Sequence, residues 1–163
     1  MPDSDGPHGH GDAIFAIQRP GQARVFSLHE AEAIFPLLRF ITAQAHDELA
    51  PVLESMRAGM ESRAALTRHE DRYEEIVQRW INKMERLGVV VSGLWLVDFD
   101  TGDGYLCWRY PEVALGFYHG HDQGFGQRRP LSDILQAHQP GWAAAGGGGG
   151  RSGEEGGPHP NLG

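Results

Sequence analysis

The chain has 163 residues, which is enough for one domain with a hydrophobic core. The formal net charge is −8 at pH 7, which argues against a general binder of nucleic-acid phosphates. A single cysteine permits no intramolecular disulfide, and we find neither a signal peptide nor an apolar stretch of the roughly 18 residues that a membrane span needs. We therefore expect a soluble, cytoplasmic protein with no membrane and no nucleic-acid partner.

Apolar residues are unevenly distributed along the chain. The first part is rich in Gly, Pro, Asp and His, and the last part is rich in Ala and Gly, with consecutive glycines at 146–150. Segments of this composition bury too little apolar surface to order themselves. The sequence predicts a flexible N-terminal tail over 1–23, a single domain over 24–137 and a Gly-rich disordered tail over 138–163.

The first predicted helix begins at a capping motif. Ser27 is a good N-cap, and Glu30 stands three residues later, where it completes a capping box. Apolar residues then recur at three-to-four spacing for some thirty residues. Pro36 and Pro51 interrupt this pattern, and we expect a kink at each of them or a break at one.

A second helix is predicted from about Glu61 to Leu87, with Gly88 as its C-cap. A seven-residue repeat, typical of a coiled-coil stripe, places Leu66, Tyr73, Trp80 and Leu87 on one row. A second row consists of Glu70, Val77 and Met84, and Ile76 and Ile81 widen the stripe. A short turn between the two helices predicts a long antiparallel hairpin. Its outer surface is either a solvated face or the interface with a helical partner or with a second copy in a homodimer.

Three short strands are predicted after the helices. They cover Leu94–Phe99, Tyr105–Arg109 and Val113–His119, with a hairpin turn at 101–104. A β-branched run over 89–91 should also leave the second helix in extended form. The expected fold class is α+β, a helical hairpin packed with a small three-stranded antiparallel β-meander.

Several strings of residues carry a family resemblance. They are V-F-S-L-H-E-A-E-A-I-F-P-L-L, L-V-D-F, Y-L-C-W-R, F-Y-H and G-F-G-Q-R-R-P-L, in this order. Together they resemble the bacterial family called domain of unknown function 2203, over about residues 25–131. The matched positions are Asp98, Cys107, Trp108, Arg109, His119, Asp122, Gly124, Phe125, Arg128 and Pro130.

The chain also departs from the family pattern. Gly120 stands where the family usually has Glu, Gln127 where it has Gly, and Arg129 where it has Gln. If that Glu is a ligand or a base in the family, this chain has lost it, although the neighbouring His121 could substitute. The family has no assigned activity, so the resemblance implies the domain boundaries and no function.

A metal site is one hypothesis for the segment that follows the third strand. His119 and His121 fall on one face if the segment stays extended, and Asp122 adds a carboxylate. Two imidazoles and a carboxylate can bind a divalent transition metal, and Cys107 or Asp98 on neighbouring strands could add a donor. The alternative is that His119 forms a hydrogen bond at the strand end and His121 faces water.

The other candidate ligand-binding residues are Asp98, Cys107, Arg109, Arg128 and Arg129. Asp98 and Arg109 lie on facing strands and form either a structural ion pair or part of a site. Cys107 is either a buried apolar residue or a nucleophile with a histidine base. The glycine loop before the Arg pair is either a structural turn or a cradle for a small anionic ligand.

These patterns support two functional hypotheses. The favoured one is a non-catalytic binding or interaction module, with a small polar-ligand or metal site over 93–131. The alternative is a metal-dependent enzyme that acts on a small anionic substrate. No complete catalytic constellation is present in the sequence, and convergence of the candidate side chains on one cleft would favour the enzyme.

Overall fold

The computed structural model describes residues 23–59 and 62–144. Of the predicted tails over 1–23 and 138–163, the parts at 1–22 and 145–163 lie outside the described residues. Three helices and a five-stranded sheet make up the described chain. In chain order they are α1 (Leu28–Ala58), α2 (Arg63–Arg86), β1 (Val90–Gly93), β2 (Leu96–Asp100), β3 (Gly104–Arg109), β4 (Phe117–Gly120), β5 (Arg129–Pro130) and α3 (Leu131–His138). The α+β class predicted from the sequence is confirmed.

Helix α1 begins where the sequence predicts. The Ser27 hydroxyl accepts the backbone N–H of Glu30 at 3.1 Å, as an N-cap should. The Glu30 carboxylate binds Arg24 at 2.9 Å, so the interaction that completes a capping box is replaced by an ion pair. Pro36 and Pro51 both lie on the exposed side, and α1 continues through them, so neither breaks the helix.

Helix α2 is shorter than predicted at its start. Ser62 caps it, with its hydroxyl accepting the Ala65 N–H at 3.3 Å. Gly88 follows the helix with φ 86°, a left-handed conformation that suits glycine, as the predicted C-cap requires. At about 1.5 Å per residue, α1 and α2 extend for roughly 46 and 36 Å.

The side of α2 that faces the core contains most positions of the predicted seven-residue rows. Ile76, Trp80 and Met84 are buried, and they contact the core as one row. Tyr73, Val77 and Leu87 on the same rows are partly buried and pack against the core, whereas Leu66 is 40% exposed. The predicted stripe therefore faces the core from Tyr73 onward.

The two long helices pack antiparallel to each other through polar and apolar contacts. The buried Trp80 indole donates a hydrogen bond to the hydroxyl of Thr42 at 2.9 Å. Further along the hairpin, Glu48 accepts hydrogen bonds from Arg72 and Arg79. These pairs join residues that are 24 to 38 positions apart, and they fix the register of the two helices.

The sheet has five antiparallel strands in the order β1-β2-β3-β4-β5, so the predicted three-stranded meander is an underestimate. The β-branched run at 89–91 pairs with β2 and becomes an edge strand. Strand β5 pairs with β4 on the other edge of the sheet. It has only two residues, so the sequence shows no alternation of polar and apolar residues there. The predicted third strand shortens to Phe117–Gly120, because a bend and an irregular segment occupy 113–116.

One face of the sheet packs on the helices. Val97, Phe99, Leu106 and Trp108 belong to the core, and Trp108 meets Phe35 of α1 edge to face at 5.4 Å. Because side chains alternate along a strand, the residues between these point to the opposite face. None of the described helices is long and apolar enough to cross a membrane.

The end of the described chain lies against the sheet. After α3, a single 3-10 turn over Gly141–Ala143 brings Trp142 onto Tyr118, with stacked rings 5.4 Å apart. No pattern in the sequence indicates a partner for Trp142. Its position extends the packed region beyond the predicted boundary at residue 137.

Candidate functional site

The second face of the sheet, opposite the helices, holds a cavity of about 320 Å³. Strands β1 to β4 form its floor, and the segment after β4 contributes the remaining wall. The lining residues are Val90, Ser92, Leu96, Asp98, Tyr105, Cys107, His119, Gln123, Gly124 and Phe125. Several of the predicted site residues thus converge on one cavity.

Asp98, Cys107 and His119 form the floor of this cavity. Each comes from a different strand, and pairing of Asp98 with Cys107 and of Tyr105 with His119 brings the three together. One carboxylate oxygen, the thiol sulfur and one imidazole nitrogen all lie within 4.8 Å of one another. All three side chains are buried, although they lie on the face that the helices leave uncovered.

Both ring nitrogens of His119 face oxygen acceptors. Nδ1 lies 2.9 Å from the carbonyl oxygen of Gly120, and Nε2 lies 3.1 Å from Oδ1 of Asp98. The carbonyl oxygen can only accept, so Nδ1 carries a proton. Nε2 and the carboxylate then face each other, and a proton or a metal cation between them makes the contact favourable.

Asp98 has a further hydrogen bond that fixes its carboxylate. The hydroxyl of Ser92 on β1 donates to Oδ2, which leaves Oδ1 directed at His119. The Cys107 sulfur lies within 4.8 Å of the same carboxylate. A carboxylate held from several sides keeps one orientation, as the ligands of a metal site do.

The Cys107 thiol stays protonated near neutral pH. Burial raises its pKa to about 12, the negative charge of Asp98 adds to this effect, and the nearby guanidinium of Arg128 acts in the opposite direction. A free nucleophile needs a thiolate, so this environment disfavours the hypothesis that Cys107 attacks a substrate with His119 as its base. A metal cation supplies the charge that stabilises the thiolate.

The expected ion pair between Asp98 and Arg109 is not formed. The register pairs Asp98 with Cys107 and places Arg109 opposite Leu96, two residues away. Asp98 binds His119 instead, and within the described residues the Arg109 guanidinium has an aromatic contact, 5.4 Å from the Phe125 ring centroid. Because Arg109 lies two residues beyond the position that faces Asp98, Asp98 pairs with His119 and not with Arg109.

Arg128 lies near Cys107 but is not among the residues that line the cavity. Its guanidinium binds both carboxylate oxygens of Glu112, at 3.0 Å for Nη1 to Oε2. It also lies over the Phe117 and Phe125 rings, at 3.9 and 4.1 Å from their centroids. Arg128 therefore fixes Phe125 over the triad, while the exposed Arg129 and Arg109 do not line the cavity.

The predicted metal set of His119, His121 and Asp122 is only partly brought together. Strand β4 ends at Gly120, and the Gln123 N–H closes a turn on the Gly120 carbonyl at 3.1 Å. The alternation on which the prediction relied therefore stops before His121. That ring binds Asp100 at 2.9 Å, and Asp122 is exposed at the turn.

Gly120 does not occupy a ligand position. It alternates with His119 along β4, so its Cα–Cβ direction points away from the triad face. A Cβ at Gly120 would meet Oδ1 of Asp122 at 2.9 Å and Oε1 of Gln123 at 3.4 Å. A side chain at this position would first meet the turn residues Asp122 and Gln123.

Four residues around the triad were missed in the sequence. They are Ser92, Tyr105, Glu112 and Gln123. Period-two alternation starting from Asp98 could have indicated Tyr105 once the hairpin register was known. Glu112 and Gln123 act from turns, where no periodic pattern signals a direction.

Comparison with known proteins identifies the family. A family model described as an uncharacterized conserved protein (DUF2203) matches residues 24–131. The chain belongs to the DUF2203 family. The DUF2203 match includes α1, α2, all five strands and the whole triad, and it ends at the first residue of α3. No curated protein and no solved structure is significantly similar to the chain.

Proposed function

We propose that this DUF2203 chain is a binding module that holds one divalent transition metal through Asp98, Cys107 and His119. The observation that carries the proposal is the contact between Nε2 of His119 and Oδ1 of Asp98, 3.1 Å apart, with the Cys107 sulfur close to both. Two atoms with lone pairs and one ionisable thiol point at the same small space. A cation at their centre would satisfy all three.

The donor set favours zinc or a chemically similar ion. Zinc binds thiolate, imidazole and carboxylate with tetrahedral geometry, whereas Mg²⁺ and Ca²⁺ prefer oxygen ligands alone. Tetrahedral donors around zinc are about 3.5 Å apart, from bond lengths of about 2.0 to 2.3 Å. The triad atoms are within 4.8 Å of one another, so small side-chain rotations would bring them into range.

The surroundings of the triad resemble the outer shell of a metal centre. A metal-binding histidine usually donates its second N–H to a carbonyl or carboxylate, which fixes the tautomer. In this chain, Nδ1 of His119 donates to the Gly120 carbonyl at 2.9 Å and leaves Nε2 for the metal. The Ser92 hydroxyl plays the corresponding role for the Asp98 carboxylate.

Titration with cobalt(II) tests this proposal directly. We expect the full chain to bind one equivalent and to develop a thiolate-to-cobalt charge-transfer band, which Cys107→Ser should abolish and His119→Ala should weaken. The matched control is His121→Ala, because His121 binds Asp100 outside the triad. His8→Ala/His10→Ala in every protein removes the N-terminal His-Gly-His sequence as a competing ligand. Equal cobalt binding by the Cys107→Ser and unchanged proteins would refute the proposal.

A metal-dependent enzyme is the second candidate, and one observation favours it. Catalytic zinc sites use three protein ligands and keep a fourth position for water or substrate, whereas structural sites use four. Within the described residues the triad supplies three donors, and they face a cavity of about 320 Å³. Zinc-dependent turnover of a small anionic ester that is lost in His119→Ala and kept in His121→Ala would select the enzyme over the binding module.

The homodimer or helical partner stays a prediction. Its motivation was the heptad row of α2, of which Trp80 is 1% exposed inside the hairpin and Leu66 is 40% exposed near its end. Only the outer end of the row is thus free to contact another helix. Sedimentation equilibrium over a hundredfold range of protein concentration tests the prediction, and a constant monomer mass would reject it.

A further inference from the structure

We infer that the cavity above the triad binds a small monocarboxylate, whose oxygen takes the fourth coordination position of the metal. This inference rests on the proposed metal site and assigns it a class of ligand. Four properties of the cavity support it: its access to the triad, its charge, its unused hydrogen-bond donors and its apolar wall.

The cavity opens directly onto the metal ligands. Asp98, Cys107 and His119 all line it, so the open side of a three-coordinate metal would face this space and not the protein interior. A volume of about 320 Å³ is roughly ten times the volume of a water molecule in the liquid, about 30 Å³. A ligand with up to about ten non-hydrogen atoms therefore fits.

The charge of the site selects a monoanion. A divalent metal with the Asp98 carboxylate and the Cys107 thiolate is neutral overall, because His119 binds as a neutral ring. No lysine or arginine is among the described lining residues, and Arg128 is already bound to Glu112. A phosphate dianion would lack compensating charge, whereas one carboxylate adds only a single negative charge.

Two unused donors lie in the cavity wall. The side-chain oxygen of Gln123 accepts the Gly120 N–H at 2.9 Å, which orients the amide and leaves its NH₂ group available. The Tyr105 ring is held between His119 and His121, at 5.4 and 4.8 Å. Within the described chain neither the Gln123 NH₂ group nor the Tyr105 hydroxyl has a hydrogen-bond partner, so both can donate to a carboxylate oxygen.

The rest of the wall is apolar. Val90 and Leu96 on the first two strands and Phe125 after β4 line the cavity. Phe125 is fixed by the guanidinium of Arg128 at 4.1 Å from its ring centroid. A ligand with a carboxylate at one end and a short branched alkyl group at the other matches this division into polar and apolar parts.

The test uses the full-length chain loaded with cobalt(II), whose visible spectrum changes when the coordination changes. We would titrate it with isobutyrate and, in parallel, with inorganic phosphate. Gln123→Glu keeps the oxygen that accepts the Gly120 N–H and replaces the donor with a negative charge, and Tyr105→Phe removes only the hydroxyl. Gln136→Glu on the exposed side of α3 adds the same charge far from the site and serves as the matched control.

We expect isobutyrate to change the cobalt spectrum to saturation, and phosphate to have at least tenfold weaker effect. Gln123→Glu should weaken isobutyrate binding by roughly tenfold or more, as loss of a hydrogen bond to a charged group does, while Gln136→Glu should not. An unchanged spectrum in cobalt-loaded protein would refute the carboxylate inference and leave the metal site intact. Stronger binding of phosphate, or equal affinity in Gln123→Glu, would also refute it. Failure to bind cobalt at all would refute both.

Discussion

Replacement of Thr42 by valine tests the register of the helical hairpin. The Thr42 side chain is completely buried, and its hydroxyl accepts the Trp80 indole N–H at 2.9 Å while it donates to the Leu38 carbonyl at 2.9 Å. Valine has nearly the same shape, so the substitution leaves packing in place. It removes the acceptor and leaves the Trp80 N–H buried without a partner.

We expect this change to cost about 2 kcal/mol, within the range of about 1 to 3 kcal/mol for an unsatisfied buried polar group. For a domain of this size, that loss lowers the melting temperature by about 8 °C, at about 4 °C for each kcal/mol. Urea denaturation followed by tryptophan fluorescence and by circular dichroism measures the free energy of unfolding. The matched control is Thr67→Val, because Thr67 makes the same bond to the carbonyl four residues earlier, at 3.1 Å, on an exposed surface.

A double-mutant cycle separates the hydrogen bond from other effects of the substitution. Trp80→Phe removes the donor, so Thr42→Val in that background should cost less than about 0.5 kcal/mol, and the coupling energy should exceed about 1 kcal/mol. Additive effects of the two substitutions would show that the side chains do not interact. The register of α1 against α2 described above would then be incorrect.

Three further predictions concern a helix end and the triad. Gly88→Ala should destabilise the fold more than Gly59→Ala does, by about 1 kcal/mol or more. Both glycines have positive φ, but only at Gly88 would an added Cβ lie 2.7 Å from the Cβ of Arg24. Equal losses of the free energy of unfolding in urea denaturation would contradict this. In the folded protein at pH 7.5, Cys107 should react with iodoacetamide at least a hundredfold more slowly than in the urea-unfolded protein, because the thiol is buried and its pKa is raised to about 12. Mass spectrometry measures both rates, and equal rates would show an accessible thiolate. Zinc affinity should rise with pH because binding displaces the proton of the Cys107 thiol, by up to about tenfold per pH unit while the metal-free thiol stays protonated; competition with a chelator measures this, and a pH-independent affinity would contradict it.

Local patterns in the sequence were sufficient to predict the helices. The Ser27 cap, the three-to-four spacing of α1 and the glycine after α2 each depend on residues a few positions apart. The register of the hairpin depends instead on the pairing of Thr42 with Trp80, which are 38 residues apart. The seven-residue rows on α2 indicated most of the side chains that pack on the core, but they could not show which α1 residues these side chains contact.

The site was predicted in its location and only partly in its residues. Asp98, Cys107 and His119 were all candidates, because carboxylate, thiol and imidazole groups on short neighbouring strands suggest ligands. Their convergence required the strand register, and a register is set by turns and bulges that act across strands. The grouping of His121 with His119 assumed that the extended pattern continues past Gly120, where β4 ends.

The most direct test of the metal site is the metal content of the full chain, purified without an affinity tag and measured by mass spectrometry. The comparison is between the unchanged protein, Cys107→Ser and the matched control His121→Ala. Our account predicts close to one equivalent of a divalent transition metal in the unchanged protein and in His121→Ala, and a loss of most of it in Cys107→Ser. Metal-free protein that also fails to take up zinc or cobalt when they are added would contradict the account, and Asp98 and His119 would then form a structural hydrogen bond that stabilises the sheet.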